Sequence, residues 1–524
     1  MVRNIRVATM AMLVAVISPN TLPLAHAETL RFAQFQEATT LDPAGFLSTF
    51  NATVSHHIFD GLIRRGPDMS LQPGLALSWK TTDENTWEFR LRPGVTWHDG
   101  TPFSAEDAKA SIDRVDRLNV PYGFKRYTRG IADVTVLDPL RIRVRTKEPD
   151  PILPAELSFL FVTKKEALDL PSEPFNTGTA MVGTGPYRFV EHVRGTRTRV
   201  IRNDAYWAGK PAFDAVLLRP IPDEAARVAA MLAGDVDVII NVPPADVDQL
   251  KRRGNINVFV GPQDRVIMFL PSFAPTAKGI TDAEGRPIET NPFADIRIRR
   301  AVSMAIDRRA LIARVLDGLA EPAAQAFPDG YLGTSKALKP VAFDAEGARR
   351  LLAEAGYPAG FGTTLHCPNK LFLRDRETCE AVAAMLARVN IKVSIALVPG
   401  SQFNTDRLKG EWPFYLQSAG TGMGEILPSF VAVAPTPDPA RGLGPSNNQH
   451  YSNPEVDRFI IAATGTMDDT TRWGMEARAM ELWVRDDAGV IPTHRQLSIF
   501  ATRKGLRLTP REDGMYTPHE LTVE

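Results

Sequence analysis

The stretch TWEFRLRPGVTWHDGTPFSAEDAKAS, residues 86–111, decides how the chain is read. Its first part alternates: Trp87, Phe89 and Leu91 face one way, and Glu88, Arg90 and Arg92 face the other. That is the period of a strand with one buried face. Pro93-Gly94 turns the chain and Val95-Thr96-Trp97 returns it, so the spacing predicts a hairpin. Ser104 followed by Asp107 then supplies a capping-box start for a helix whose inner face is Ala108, Ile112 and Val115. Further on, Leu140, Ile142 and Val144 alternate with Arg141, Arg143 and Arg145, which predicts another strand of the same half-buried sheet.

Outward from this stretch, helices and strands keep alternating. Asp223 caps a helix with Val228, Met231 and Leu232 on its apolar side and Gly234 at its end. Asp344 caps another, with Ala348, Leu351, Leu352 and Ala355 on one face, then Gly356 and Pro358 as terminators. Cys379, Val382, Ala383 and Leu386 repeat the helical spacing, and IKVSIAL at 391–397 reads as a strand. The fold class is α/β with mixed sheets. The 41 prolines and 37 glycines are spread along the chain, as expected for many short elements joined by turns.

The N-terminus carries an export signal. Arg3 and Arg6 precede the apolar run VATMAMLVAVI at 7–17, and Ala25-His26-Ala27 offers a cleavage site before Glu28. The run is shorter than the ~20 residues of a membrane span, so residues 1–27 are expected to leave as a signal peptide. The remaining 497 of the 524 residues are enough for about three domains. Arg3 and Arg6 are the signal's only charges, leaving 59 basic residues against 61 acidic. So even a balance argues against nucleic acid as a partner. The two cysteines, Cys367 and Cys379, suit a disulfide in an oxidising compartment, with a pair of buried free thiols as the alternative. His56-His57 does not make a metal site, because adjacent residues on a helix point apart and no third ligand is evident; no metal and no cofactor are expected.

Several strings, in order, resemble one family over about residues 30–512. They are Leu41-Asp42-Pro43, Pro73-Gly74-Leu75-Ala76, the 86–111 stretch, and Gly183-Thr184-Gly185-Pro186-Tyr187. Gly234-Asp235-Val236-Asp237, PFADIRIRRAVSMAIDRRAL at 292–311, FDAEGARRLLAEAGYP at 343–358 and Tyr451–Asp457 complete the series. The family is that of extracytoplasmic solute-binding proteins for dipeptides, oligopeptides and nickel complexes, which serve ABC importers (family 5). The resemblance implies a two-lobed periplasmic binding protein fold with a two-segment hinge and an additional third domain. Carried over, lobe one is 28–59, 182–262 and 490–524, the additional domain is 60–181, and lobe two is 263–489. It also implies a periplasmic monomer that closes on a peptide or other small molecule and passes it to an inner-membrane permease with ATPase subunits.

Peptide binders of the family hold the ligand's amino group with an acid of lobe two. The corresponding stretch here is QSAGTGMGE, 417–425, in which the family's tryptophan is replaced and Glu425 is the nearest acid. A carboxylate in a closed cleft suits an ammonium group, and glycines such as Gly422 let backbone approach a ligand closely. The alternative is that Glu425 caps the apolar segment after it and the glycines only make a loop. Further candidates are Phe35, Gln36, Ser48 and Asn51 near the hinge, and Phe269 at the crossing into lobe two. Asn369 and Lys370, in the loop between the cysteines, are candidates for a ligand carboxylate. The sequence shows no GxxxxGK[ST] loop, so ATP chemistry belongs to a partner, and neither GxSxG nor HExxH, so no enzyme is expected. A nickel-complex or opine-type solute is the alternative within the binding class.

Overall fold

The computed structural model describes residues 29–45, 48–118, 120, 123–369, 371–517 and 520–524. The signal peptide expected at 1–27 and Lys370 lie outside them. Among the described residues no helix is long and apolar enough to cross a membrane.

A single 12-stranded mixed sheet runs through the molecule. Its middle is a pair of long antiparallel strands, Ile256–Pro271 and Ile491–Arg503. Residues 256–262 of the first pair with 497–503 of the second; the register then shifts, and pairing resumes from Val266 opposite Arg495. On one side of the shift, the second strand pairs with Val238–Ile240, which is followed across the sheet by Thr29–Gln34 and Ala215–Pro220. On the other side, the first strand pairs with Phe414–Ala419, which runs parallel to Phe361–Asn369, itself parallel to Ile391–Pro399. Two α/β bodies are thus threaded by the same two strands, the two-segment hinge of a bilobed fold.

Alternation along the strands sorts their side chains between cores. Leu30 and Phe32 point into one cluster and Ala33 into another across the sheet. In the other lobe, Met268 and Leu270 lie in one core while Ile267 and Phe269 lie in the second. Cys367, at a strand end, and Cys379, on the buried face of helix Asp375–Ala387, are joined as a disulfide.

The additional unit is a four-stranded antiparallel sheet in the order Ala76–Asp83, Thr86–Leu91, Arg141–Thr146, Ile131–Asp138, with helix Ala105–Arg117 against it. The helix starts with the capping box of Ser104 and Asp107. The hairpin expected within 86–97 does not form. Strand Thr86–Leu91 pairs with the strands at 76–83 and 141–146. Residues 95–103 instead fold on themselves, with Trp97 N–H donating to Thr101 O at 2.8 Å and Phe103 N–H to Val95 O at 3.0 Å. The Pro93-Gly94 turn was legible; the partner was not, because both flanking segments had strand composition.

Helix Ala105–Arg117 also carries Arg114 on its buried face. Its guanidinium donates two parallel 2.8 Å bonds to the Asp42 carboxylate, with both side chains almost wholly buried. Arg114 further donates to Ala167 O and Leu170 O, and Ser172 Oγ donates to Asp42. Asp42 belongs to the Leu41-Asp42-Pro43 string, so that string ties the first lobe to the additional unit. Removing one partner of such a pair leaves a buried unpaired charge, which costs about 3–5 kcal/mol. Asp42→Ala should lower stability by about that amount in urea unfolding; a midpoint equal to the parent's would show that the pair contributes little.

Candidate functional site at the edge between the lobes

In each lobe the parallel strands end at the edge that faces the other lobe. In one, Thr29–Gln34, Val238–Ile240 and the 256–262 segment run the same way, ending near Gln34–Gln36, Asn241 and Gln263. In the other, Phe361–Asn369, Ile391–Pro399 and Phe414–Ala419 end at Asn369, Pro399 and Ala419. The carboxyl edge of an α/β sheet is where ligands bind, because strand ends and loops leave unpaired polar groups there. A separate open concavity of about 820 Å³, lined by residues such as Ser272, Lys278, Glu289 and His450, lies at the opposite edge of the second lobe, away from the hinge.

The register shift leaves Gln263, Asp264 and Arg265 outside the ladder. Gln263 O accepts from Arg495 Nε at 2.8 Å, and Arg495 also holds Glu512 at 2.8 Å. The Asp264 carboxylate accepts from the backbone N–H of Thr421, at 2.9 Å, and of Gly422. Thr421 Oγ1 accepts from Met423 N and Gly424 N. A Cβ at Gly420 would stand 2.2 Å from Asp264 O, and Gly424, at φ +73°, would place one 2.9 Å from Met69 Cβ. Gly420 and Gly424 therefore admit the hinge strand and the additional unit.

This loop makes a reciprocal exchange. Met423, from the second lobe, is buried in the core of the additional unit with Leu62, Phe103 and Leu157. Met69, from the additional unit, is buried in the second lobe's core with Phe327, Ile426 and Phe430. Met69 sits in a tight turn at φ +67°, a conformation that favours glycine or asparagine. The turn is held from the C-terminal segment: Glu512 N–H donates to Pro67 O at 2.9 Å and Arg511 to Arg65 O at 3.2 Å.

Glu425 departs from the role expected of it. Its carboxylate is buried and accepts from Arg472 Nε at 2.8 Å, so it is already committed inside the second lobe. It does not cap the following helix, whose N-cap is Ile426. Arg472 also reaches Asp469 at 2.6 Å and stands 3.8 Å from Glu476. Burial and the Glu425 charge together push the Glu476 carboxyl up to about 9, and neither of its oxygens has a hydrogen-bond partner among the described residues. One guanidinium thus neutralises Glu425, and Glu476 keeps its proton at neutral pH.

The other candidates divide. Phe35 and Gln36 lie at the carboxyl edge; Gln36 is exposed, while Phe35 packs edge-on against Phe50 at 4.6 Å, with Arg227 over its ring. Gly422 lies at the crossing, beside Phe159. Asn369 is exposed at its strand end. Ser48 instead caps helix Thr49–Ile58, and the buried Asn51 binds Thr39 N–H at 2.9 Å, so both are occupied in holding that helix. Phe269 is a core residue, fully buried beside Phe414, because it falls on the inner face of its strand. His56 and His57 diverge: His56 meets Phe161, and His57 bonds Thr53 O with burial lowering it to about 4. Asp264, Arg265 and Arg472 were missed. The signal for the first two is a charged pair directly before the apolar run VIMFL, where a strand leaves solvent for a core.

Two α/β lobes threaded by two strands, meeting at their carboxyl edges, define a binding protein that closes on a solute. Residues 70–435 match the model of the bacterial extracellular solute-binding proteins, family 5, middle region. The chain belongs to this family, whose members are substrate-binding components of ABC importers. It is 27% identical over 456 residues to the glutathione-binding protein GsiB of Escherichia coli strain K12, covering 85% of this chain and 84% of that one. Among solved structures it is similar to HbpA2 from Haemophilus parasuis, with a TM-score of 0.80, 22% identity and coverage of 95% and 100%. It is similar also to the periplasmic binding protein DppA from Helicobacter pylori in complex with peptide STSA, with a TM-score of 0.71, 22% identity and coverage of 95% and 98%. The likeness to these two is one of fold.

The Glu476 carboxyl gives a pH signature. Its folded-state value lies above the 4.5 of an ordinary glutamate, so its contribution is complete below about 4.5, declines as pH rises, and is exhausted above about 9. Glu476→Gln, which mimics the protonated form and does not titrate, should be more stable than the parent at pH 8, the gap growing by up to about 1.4 kcal/mol for each pH unit above 4.5. The gap should close towards pH 5. A pH-independent difference in urea unfolding would mean that Glu476 is ionised in the native state.

Proposed function

We propose that this chain captures a peptide or peptide-like small solute in the periplasm and delivers it to an inner-membrane permease with its ATPase subunits. The observation that carries the reading is the meeting of the two carboxyl edges across the paired hinge strands 256–271 and 491–503. The names of GsiB and of the peptide-bound DppA support a peptide-like solute. In this reading the chain acts as a monomer without catalysis or cofactor, after loss of residues 1–27. Lobe one is 28–59, 182–262 and 490–524, the additional domain 60–181 and lobe two 263–489. The additional domain and the C-terminal segment 511–513 frame the cleft, and Phe35, Gln36, Gly422 and Asn369 stand at its margin. Lys370 is assigned to the same margin from the sequence. Micromolar capture needs about 8 kcal/mol of binding free energy, within reach of a cleft that closes on backbone polar groups.

The test is thermal unfolding of residues 28–524 with di-, tri- and oligopeptides, opines and nickel complexes. A solute bound only by the folded state adds about 2.7 kcal/mol at a hundredfold excess over Kd. At least one peptide should raise the Tm, and Glu425→Ala should lower the Tm of the solute-free protein by removing the buried carboxylate that Arg472 binds at 2.8 Å. A shift given only by an opine or a metal complex would keep the binding function and overturn the peptide assignment.

A further inference from the structure

Arg265 stands at the centre of the edge between the lobes, and its side chain is unspent. It is the last of the three residues left out of the ladder, and its neighbour Val266 pairs with Ala419. The Arg265 side chain therefore leaves the sheet where the strands ending at Asn369, Pro399 and Ala419 also end. The two residues before it are occupied, Gln263 by Arg495 and Asp264 by the backbone of Thr421 and Gly422. Among the described residues the Arg265 side chain has no hydrogen bond and no ion pair. Its recorded contact is with the ring of Phe372, 5.5 Å from guanidinium carbon to ring centroid.

That is unusual within this chain. The fully buried arginines each hold partners: Arg114 holds Asp42, Arg308 Pro492 O and Ser303, Arg511 Asp513 and Glu520, and Arg227 three backbone carbonyls, although its Nε is unpaired among the described residues. Arg265 is partly buried, and that burial lowers its pKa, a sign that its surroundings penalise the charge. A guanidinium carries five N–H donors in a fixed fork, and holding them unpaired in a partly dry site is costly. Functional sites retain such costs because a ligand removes them.

The chemistry of the missing partner follows. The fork matches a carboxylate with two parallel bonds. The Phe372 ring lies on one side of the guanidinium, 5.5 Å from its carbon, and offers it no hydrogen-bond acceptor of carboxylate type. Asp264, adjacent in the chain and adding negative charge, disfavours a multiply charged anion at the same spot. We propose that Arg265 receives a carboxylate of the solute, which makes the solute a carboxylate-bearing peptide-like molecule anchored at the hinge. This rests on the solute-capture reading and names the charge that the cleft reads.

The test uses residues 28–524 and Arg265→Met, which keeps the apolar stem and removes the donors, with Arg265→Lys as a second variant. Without any solute, Arg265→Met should melt at or above the parent temperature, because an unpaired charge is removed. A clear fall in Tm would show a structural arginine and overturn the proposal. The binding arm uses glutathione and trialanine against trialanine amide. The free acids should bind the parent, lose about 10- to 100-fold in affinity to Arg265→Met and recover in part with lysine. The amide should bind both proteins alike and weakly. Free acid and amide binding equally well to both proteins would overturn the assignment of Arg265 and leave solute capture intact. If none of the three peptides binds the parent, the peptide reading falls, and the solute-free Tm together with titration of non-peptide carboxylates, acetate and succinate, decides Arg265.

Discussion

The pairing of Ile256–Pro271 with Ile491–Arg503 is the constraint on which the rest depends. Two strands that each traverse both lobes fix the lobes' relative rotation far more tightly than a single linker, because bending must distort two hydrogen-bonded backbones in concert. Their register shifts at two places, between Pro262 and Val266 and between Ile267 and Met268, and the wider break is the first. Three residues freed from the ladder lie level with the carboxyl edges of both lobes. A bulge re-aims side chains and increases local twist; here it directs one carboxylate onto the 420–422 backbone and one guanidinium into the edge. The same irregularity thus sets where the lobes pivot and which charges face the space between them.

Buried charge is used in two different ways. Asp42 and Arg114 are mutually satisfied and surrounded by further donors and acceptors, so they act as a fixed joint between a lobe and the additional unit. The Glu425, Arg472 and Glu476 group is unevenly matched, with two buried carboxyls to one guanidinium, and settles the imbalance by retaining a proton. A joint of the first kind is closed by mutual hydrogen bonds. The second is tuned by pH.

Local signals were well preserved in the sequence. The caps at Ser104, Asp223 and Asp344, the terminators Gly234 and Gly356, and the strand faces of 86–91 and 140–144 all appear where patterning put them. These depend on neighbours a few residues apart. What patterning could not supply was long-range pairing. The 95–97 segment folds back locally rather than onto 86–91, and Phe269 falls on the inward side of a strand whose two faces both meet apolar cores. A sheet buried on both faces erases the alternation that would mark its outward side. Glu425 illustrates the same limit for the site: its partner Arg472 is 47 residues away, and nothing near Glu425 in the chain announces it.

The exchange of Met69 and Met423 has a consequence for what affinity can mean in this protein. Each thioether occupies the other unit's interior, so parting the lobes brings both into water together. Burying one such side chain is worth ~1.5–3 kcal/mol, and that quantity is the same whatever lies in the cleft. It enters every dissociation constant as a common offset, raising all of them or lowering all of them by one factor. Ranking among solutes is left to the few polar groups at the strand ends, so a change in either methionine would rescale the whole list of affinities without reordering it.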